Sequence, residues 1–282
     1  MKRRDFLKYT APLLGAPLIL KGQPVFALGE HLLEKAMAGT NKQRKLVLVQ
    51  LNGGNDGLNT LIPLDQYSNL LAARENVIIE ENKILPLQKN LGLHPSMTGI
   101  KHLFEEEKVL FVQNVGYPHP NFSHFRSKDI VTSGSGFEEE ISSGWLGRQL
   151  DEWHPGYPEN YPNESNPHPV AISIGSASSP TCQGHTNNLS IVLKNLKVSY
   201  SSGGAGADYG DSYYGKEMSF IAKTMEQTEV YLSVVKDAAE KGANQSGLYP
   251  DVGENNLADQ LKIVSNLISG GLELSLIHIS EP

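Results

Sequence analysis

The sequence predicts an α/β protein with a mostly parallel sheet flanked by helices and incomplete at its C-terminus, and three observations lead there. Lys45-Leu46-Val47-Leu48-Val49-Gln50-Leu51 is a near-continuous apolar run closed by Asn52-Gly53-Gly54, the pattern of a strand covered on both faces. Pro95 to Glu107 has helical spacing at Met97, Ile100, Leu103 and Phe104, and Val109 to Val115 follows as a second apolar run. Val170-Ala171-Ile172-Ser173-Ile174 is a third short strand. Helix, strand and polar loop in alternation are the grammar of an α/β domain. With 39% hydrophobic residues over 282 positions there is apolar material for a full core, which excludes a disordered or collagen-like chain.

In chain order, the first residues read as an export label. Arg3-Arg4 precede Phe6-Leu7-Lys8, and an apolar stretch from Ala11 to Leu20 is interrupted by Pro12 and Pro17. A membrane-spanning helix needs about 20 uninterrupted apolar residues, so no stable transmembrane anchor is expected. Val25-Phe26-Ala27 offers a small-residue cleavage point. The motif resembles a twin-arginine (Tat) signal over residues 1–27, which implies the Tat translocase as a partner during export and a periplasmic or extracellular destination. The plainer reading is the basic start of a cytosolic protein. Removing residues 1–27 takes five cations and one acid from a chain of net charge −7 and leaves −11.

Residues 28–44 read as a linker and short helix. Ser123 to about Val131 opens a helix, and Trp145 to Trp153 forms another. Residues 155–168 and 201–210 are loops by composition. Asp211 is expected to cap a long helix to about Lys241, and Asn255 a last one carrying Leu257, Leu261, Val264 and Leu267. Gly270-Gly271 supplies its stop. The final stretch, 274–282, looks like the translation of a sequencing adapter, so the protein is expected to be residues 28–273 of a longer domain with a non-native tail. A natural short C-terminus is the other reading.

The charge balance, with 24 Lys+Arg against 31 Asp+Glu, and the lack of a basic block beyond the N-terminus argue against nucleic acid as a partner. One cysteine, Cys182, excludes an internal disulfide framework and a paired-cysteine zinc module. The loop Asn52-Gly53-Gly54-Asn55-Asp56-Gly57-Leu58-Asn59 follows the first strand, where ligands gather in open α/β sheets. It lacks both phosphate-binding glycine signatures. Asp56 suits a divalent metal there, with Asn55 beside it; alternatively Asp56 makes a local turn or cap.

The second candidate is Gly116-Tyr117-Pro118-His119-Pro120-Asn121-Phe122-Ser123-His124-Phe125-Arg126-Ser127-Lys128-Asp129. Ser123 falls at a helix start, where free N–H groups and the dipole favour an anion. A metal could lower its pKa and make it a nucleophile. Arg126 offers a planar fork for an oxyanion, and His119 and His124 could ligate metal or move protons. The plainer reading makes Ser123 an N-cap and His124 a surface side chain. No Gly-x-Ser-x-Gly elbow is present, which disfavours an α/β-hydrolase. Cys182 beside His185 lacks a third, orienting group and is a weak nucleophile candidate.

Taken together, the signal, Leu51-Asn52-Gly53-Gly54-Asn55-Asp56-Gly57-Leu58-Asn59-Thr60-Leu61-Ile62-Pro63, Leu91-Gly92-Leu93-His94-Pro95, Val115 to Ser127, and Gly144-Trp145-Leu146-Gly147-Arg148 resemble the domain of unknown function 1501 family. The likeness extends over residues 1–273. That family looks like a branch of the alkaline phosphatase and sulfatase superfamily. The resemblance implies an alkaline-phosphatase-like core with Asp56 as metal ligand and Ser123 as nucleophile and second ligand. It implies divalent metal (zinc, calcium or magnesium) in the intact protein. Its activity would be hydrolysis of a small phosphate or sulfate ester. The sulfatase pattern Cys-x-Pro-x-Arg is not met, because serine stands at 123, position 125 is Phe, and Arg126 falls one place early. The family's later Asp-Thr-His, Ser-Glu-Phe-Gly-Arg and Asp-His-Gly segments lie beyond Glu273. This fragment is therefore expected to be inactive and not to hold the metal. A non-catalytic secreted binding or assembly protein on the same fold is the alternative.

Overall fold

The computed structural model describes residues 18–20, 23–25, 45–51, 53–88, 90–194, 196, 209–244, 246–273 and 276–280. Arg3 and Arg4, and most of the expected signal, lie outside these. The chain divides into two compact units, residues 1–28 with 53–116, and residues 29–52 with 117–282.

In the first unit, strands β1 (Leu18–Leu20) and β2 (Gln23–Val25) form a short antiparallel hairpin. After it come α1 (Gly57–Thr60), β4 (Leu61–Pro63), α2 (Tyr67–Arg74), β5 (Leu85–Gln88), β6 (Leu91–Leu93) and α3 (Thr98–Glu105). The strand β3 (Leu46–Gln50) belongs to the second unit. The sheet β4-β6-β5 is antiparallel throughout. Its buried residues are Leu61, Ile62, Ile84 and Leu93. Tyr67 Oη donates to Ile79 O at 2.8 Å and ties α2 to the segment that follows it.

The expected strand over Val109 to Val115 does not form. Among the described residues no strand pairing involves it, and Leu110, Val112 and Val115 are exposed. An apolar run becomes a strand only where an edge accepts its N–H and C=O groups.

The second unit contains β3 (Leu46–Gln50), α4 (His124–Ser133), α5 (Trp145–Trp153), β7 (Ala171–Ile174), β8 (Ser190–Leu193), α6 (Tyr213–Lys241), α7 (Asn256–Ser269) and β9 (Leu276–Ser280). Its four strands run parallel in the order β3-β9-β7-β8. Alternation decides which side chain meets which layer. Val47, Ile172, Ile174, Ile277 and Ile279 face α6 and α7, packing on Leu232, Val235, Val264 and Leu267. On the opposite face Leu48 and Ala171 join Leu146 and Leu150 of α5, with Cys182 and Leu189. Helices thus cover both faces of a parallel sheet, the arrangement such sheets require.

α5 spans the bounds its apolar spacing predicts, and Asn255 caps α7 by accepting from Ala258 N at 2.9 Å. The long helix is capped by Ser212 and not by the expected Asp211; Ser212 Oγ accepts from Gly215 N at 3.0 Å. The two residues are adjacent and chemically equivalent as caps, so only backbone geometry separates them. The 276–280 run, set apart above as an adapter-like tail, fills the slot between β3 and β7. Ile277 and Ile279 give it the alternation that slot needs. His278 points the other way in register with Leu48 and Ser173; it is buried and neither ring nitrogen has a hydrogen-bond partner.

Candidate functional site

Asp56 sits in a local clamp inside the first unit. Asn59 Nδ2 donates to Asp56 Oδ2 at 2.9 Å, and Arg74 donates to the same oxygen. Thr60 Oγ1 donates to Asn55 Oδ1 at 2.8 Å and to Asp56 O at 2.9 Å. Asn59 Nδ2 also reaches Val77 O at 2.7 Å. The glycine-rich loop therefore closes onto α1 and α2. The hydrogen bond from the Arg74 guanidinium holds the Asp56 carboxyl below the ordinary carboxylate range; it outweighs the opposing effect of desolvation, and Coulomb attraction and backbone hydrogen bonds add to it.

Ser123, Arg126, His119 and His124 belong to the second unit. Ser123 is the N-cap of α4, its Oγ accepting from Arg126 N at 3.4 Å, and its own N–H donates to Asn121 Oδ1 at 2.9 Å. Arg126 Nη2 donates to Gly136 O at 3.2 Å, Phe137 O at 3.1 Å and Glu139 O. The guanidinium end nearest these carbonyls thus holds the loop that follows α4. His119 stacks near Phe137, with ring centroids 4.9 Å apart, and His124 is exposed. His119 and Phe122 have positive φ, at 52° and 57°, so the segment leading into Ser123 is held in a backbone region that L-residues rarely adopt.

The metal implied by the family resemblance can be tested on the donor set. A zinc site takes three or four N, S or O ligands and calcium or magnesium about six oxygens. Among the described residues no three His, Cys, Asp or Glu side chains come together in a way that could hold an ion. Asp56 already accepts from Arg74 and Asn59. The described residues do not fit such a metal. Cys182 is fully buried, and burial pushes its thiol up to about 11, which is the state of a packing residue and not of a nucleophile.

Two concavities lie in the second unit. A smaller one of about 560 Å³ is lined by Arg126, Asp129, Ser133, Glu140 and Ser143 among others. The larger, of about 780 Å³, opens at the carboxyl edge of the parallel sheet. Gln50 ends β3 there, Gly175 follows β7 and Lys194 follows β8. Lys128 of α4, Gln260, Lys262 and Asn266 of α7 and His278 of β9 are among its polar lining, with Asp259, Asn256 and the serines after β7. Ser123 lines neither. The sequence reading missed Lys128, Lys194, Gln260 and Lys262. Only Lys128 lay within a candidate motif, five residues past Ser123, and it carried no role there. Gln260 and Lys262 stand together on α7, far in the chain from Lys194, and the fold brings them to one wall.

Among the described residues no helix is long and apolar enough to cross a membrane. No protein-family model, no curated protein and no solved structure matches this chain.

Proposed function

We propose that this chain belongs to an exported α/β protein whose ligands are small phosphate or sulfate esters, and that the part described here binds such an anion without turning it over. One observation carries the second half. The three side chains with a chemical role in view are each engaged locally, Asp56 by Arg74, Ser123 by the first turn of α4, and Arg126 by loop carbonyls. The parallel sheet supports the first half, since the open carboxyl edge of such a sheet is where small ligands bind. A hydrolase in a longer form of the protein is the second reading. The placement of Ser123 at the start of a ten-residue helix favours it, because unpaired N–H groups there stabilise an anion. That form needs metal ligands from sequence beyond Glu273.

The test is to extend the coding sequence past codon 273, express the longer protein with and without Ser123→Ala, and assay generic phosphate and sulfate esters over pH and metals. Turnover abolished by Ser123→Ala establishes the hydrolase. No turnover, with retained phosphate or sulfate binding, establishes the binding protein. Absence of both overturns the ester assignment. Export is tested separately by replacing Arg3-Arg4 with Lys-Lys and following secretion in a Tat-competent cell.

A further inference from the structure

We infer that the N-terminal half of α6 pairs with the same segment of a second copy of this chain, antiparallel, about a two-fold axis level with Ser219 and Phe220. This does not depend on the ester reading above.

Burial divides α6 in two. From Gln227 onward the helix feeds the core, and Tyr231, Leu232, Val235 and Ala238 are buried. Before Gln227 only Gly215 is buried. Yet Tyr214 is 70% exposed, Ile221 48% and Met225 40%, and Met218 is half-buried. None of these four belongs to the hydrophobic clusters of the unit. A helix in water is held mainly by packing of its apolar face, and this half carries such a face. Steps of four, three and four residues return to one side of a helix, so Tyr214, Met218, Ile221 and Met225 form a single stripe. Lys216, Ser219 and Lys223 fall on the opposite side and are exposed.

The spacing selects the occupant. Four, three, four reads the same in both directions, which makes the stripe complementary to an antiparallel copy of itself. Tyr214 then faces the partner's Met225, and Met218 faces the partner's Ile221; the two-fold axis repeats both layers. Methionine adapts its shape to either neighbour and favours an aromatic one. On one flank Glu217 comes beside the partner's Thr224, and on the other Gly215 comes beside the partner's Ala222. No like charges oppose each other, and the small residues allow close approach. A parallel pair is disfavoured on space. Paired helices lie about 8–10 Å apart, so both folded bodies, each entered by its α6 at Gln227, would compete for one volume. Four side chains per copy over about 17 Å of helix fall short of the about 800 Å² per partner of a standard interface. The dimer therefore belongs to the weak, concentration-dependent class.

The experiment is analytical ultracentrifugation of the purified 282-residue chain from micromolar to submillimolar concentration. The expected result is a reversible monomer–dimer equilibrium. Ile221→Glu should weaken it at least about tenfold, whereas Lys223→Glu on the opposite side should leave it unchanged. Far-UV circular dichroism checks that the variants fold, and Met225→Gln is the milder seam variant should Ile221→Glu not. Disulfide trapping reads the orientation: Met218→Cys chains mixed with Ile221→Cys chains should cross-link faster than either alone, with Cys182 buried away from the reaction. The inference falls if the chain stays monomeric throughout, or if the seam variants leave the dimer intact. It falls equally if either cysteine variant alone cross-links as readily as the mixture. A chain that stays monomeric and binds anionic phospholipid vesicles through this face would overturn it in favour of a lipid contact.

Discussion

The guanidinium of Arg74 and the carboxylate of Asp56 form an ion pair within the first unit, across eighteen residues of chain. Asp56 follows a glycine-rich loop, in the position that the family resemblance gives to a metal ligand. In this structure its charge is already met by a cation, and its Oδ2 also accepts from Asn59. A metal at this oxygen would have to displace Arg74.

That pairing has a titration signature. The Arg74 hydrogen bond lowers the Asp56 pKa below its ordinary value of 3.8. A depressed carboxyl contributes stability above its unfolded pKa and loses it as pH falls through the folded one. The stabilisation is therefore fully present at neutral pH and is lost only as pH falls below about 4. In a carboxyl-carbon NMR titration Asp56 should titrate below 3.8. With Arg74→Met its midpoint should rise toward the ordinary value. An ordinary midpoint in the unsubstituted chain would show that the pair does not persist in solution.

Ser123 is read most directly as a helix cap. Ser123→Ala should cost about 1 kcal/mol in urea denaturation, whereas Ser123→Asn or Ser123→Asp should stay within a few tenths, since both cap equally well. A loss common to all three substitutions would point to a packing role instead. In a longer, active form the pattern should diverge: Ser123→Asn would retain stability and lose turnover.

Cys182 should be inert in the folded chain. It is fully buried, between the turn at Pro180 and α5, and its thiol is pushed up to about 11 from 9.0. A raised thiol pKa contributes stability below the unfolded value and loses it as pH rises through the folded one, so the loss falls between pH 9 and about 11. A chromogenic thiol reagent at pH 8 should label the protein only after denaturant is added. Rapid labelling of native protein would place Cys182 at an accessible surface.

Gly147 explains part of the Gly144-Trp145-Leu146-Gly147-Arg148 motif. A Cβ on Gly147 would lie 2.1 Å from Gln183 O, and one on Gly144 2.2 Å from Pro180 O. Backbone cannot yield as a side chain tip can, so α5 packs against the 180–184 turn only where these positions lack a side chain. Gly147→Ala should destabilise the chain by at least about 2 kcal/mol. Gly99→Ala in α3, where a Cβ meets nothing within 4 Å, should be neutral or stabilising by up to about 1 kcal/mol. Equal midpoints for the two variants in urea would refute the close approach at α5.

Local signals placed several elements well. The apolar run at 46–50, the helix at 145–153 and the caps at Ser123 and Asn255 were all legible, because capping and amphipathic spacing act over one or two turns. Val109 to Val115 carried a near-continuous apolar run like that of β3 and yet pairs with no strand among the described residues. β8 and the antiparallel sheet of the first unit carried too little periodicity to be seen. A strand is completed by its neighbour, and the neighbour is remote in sequence.

The same division runs through the chemistry. The sequence by itself determined an α/β composition, an acidic chain with one cysteine, and the residue types at Asp56, Ser123 and Arg126. Tertiary structure alone decided that Arg74 meets Asp56, that Arg126 reaches the carbonyls of 136, 137 and 139, and that three lysines from separate elements share one concavity. Residue type sets which bonds a side chain can make. Which of them it makes depends on partners that folding carries in from tens of residues away.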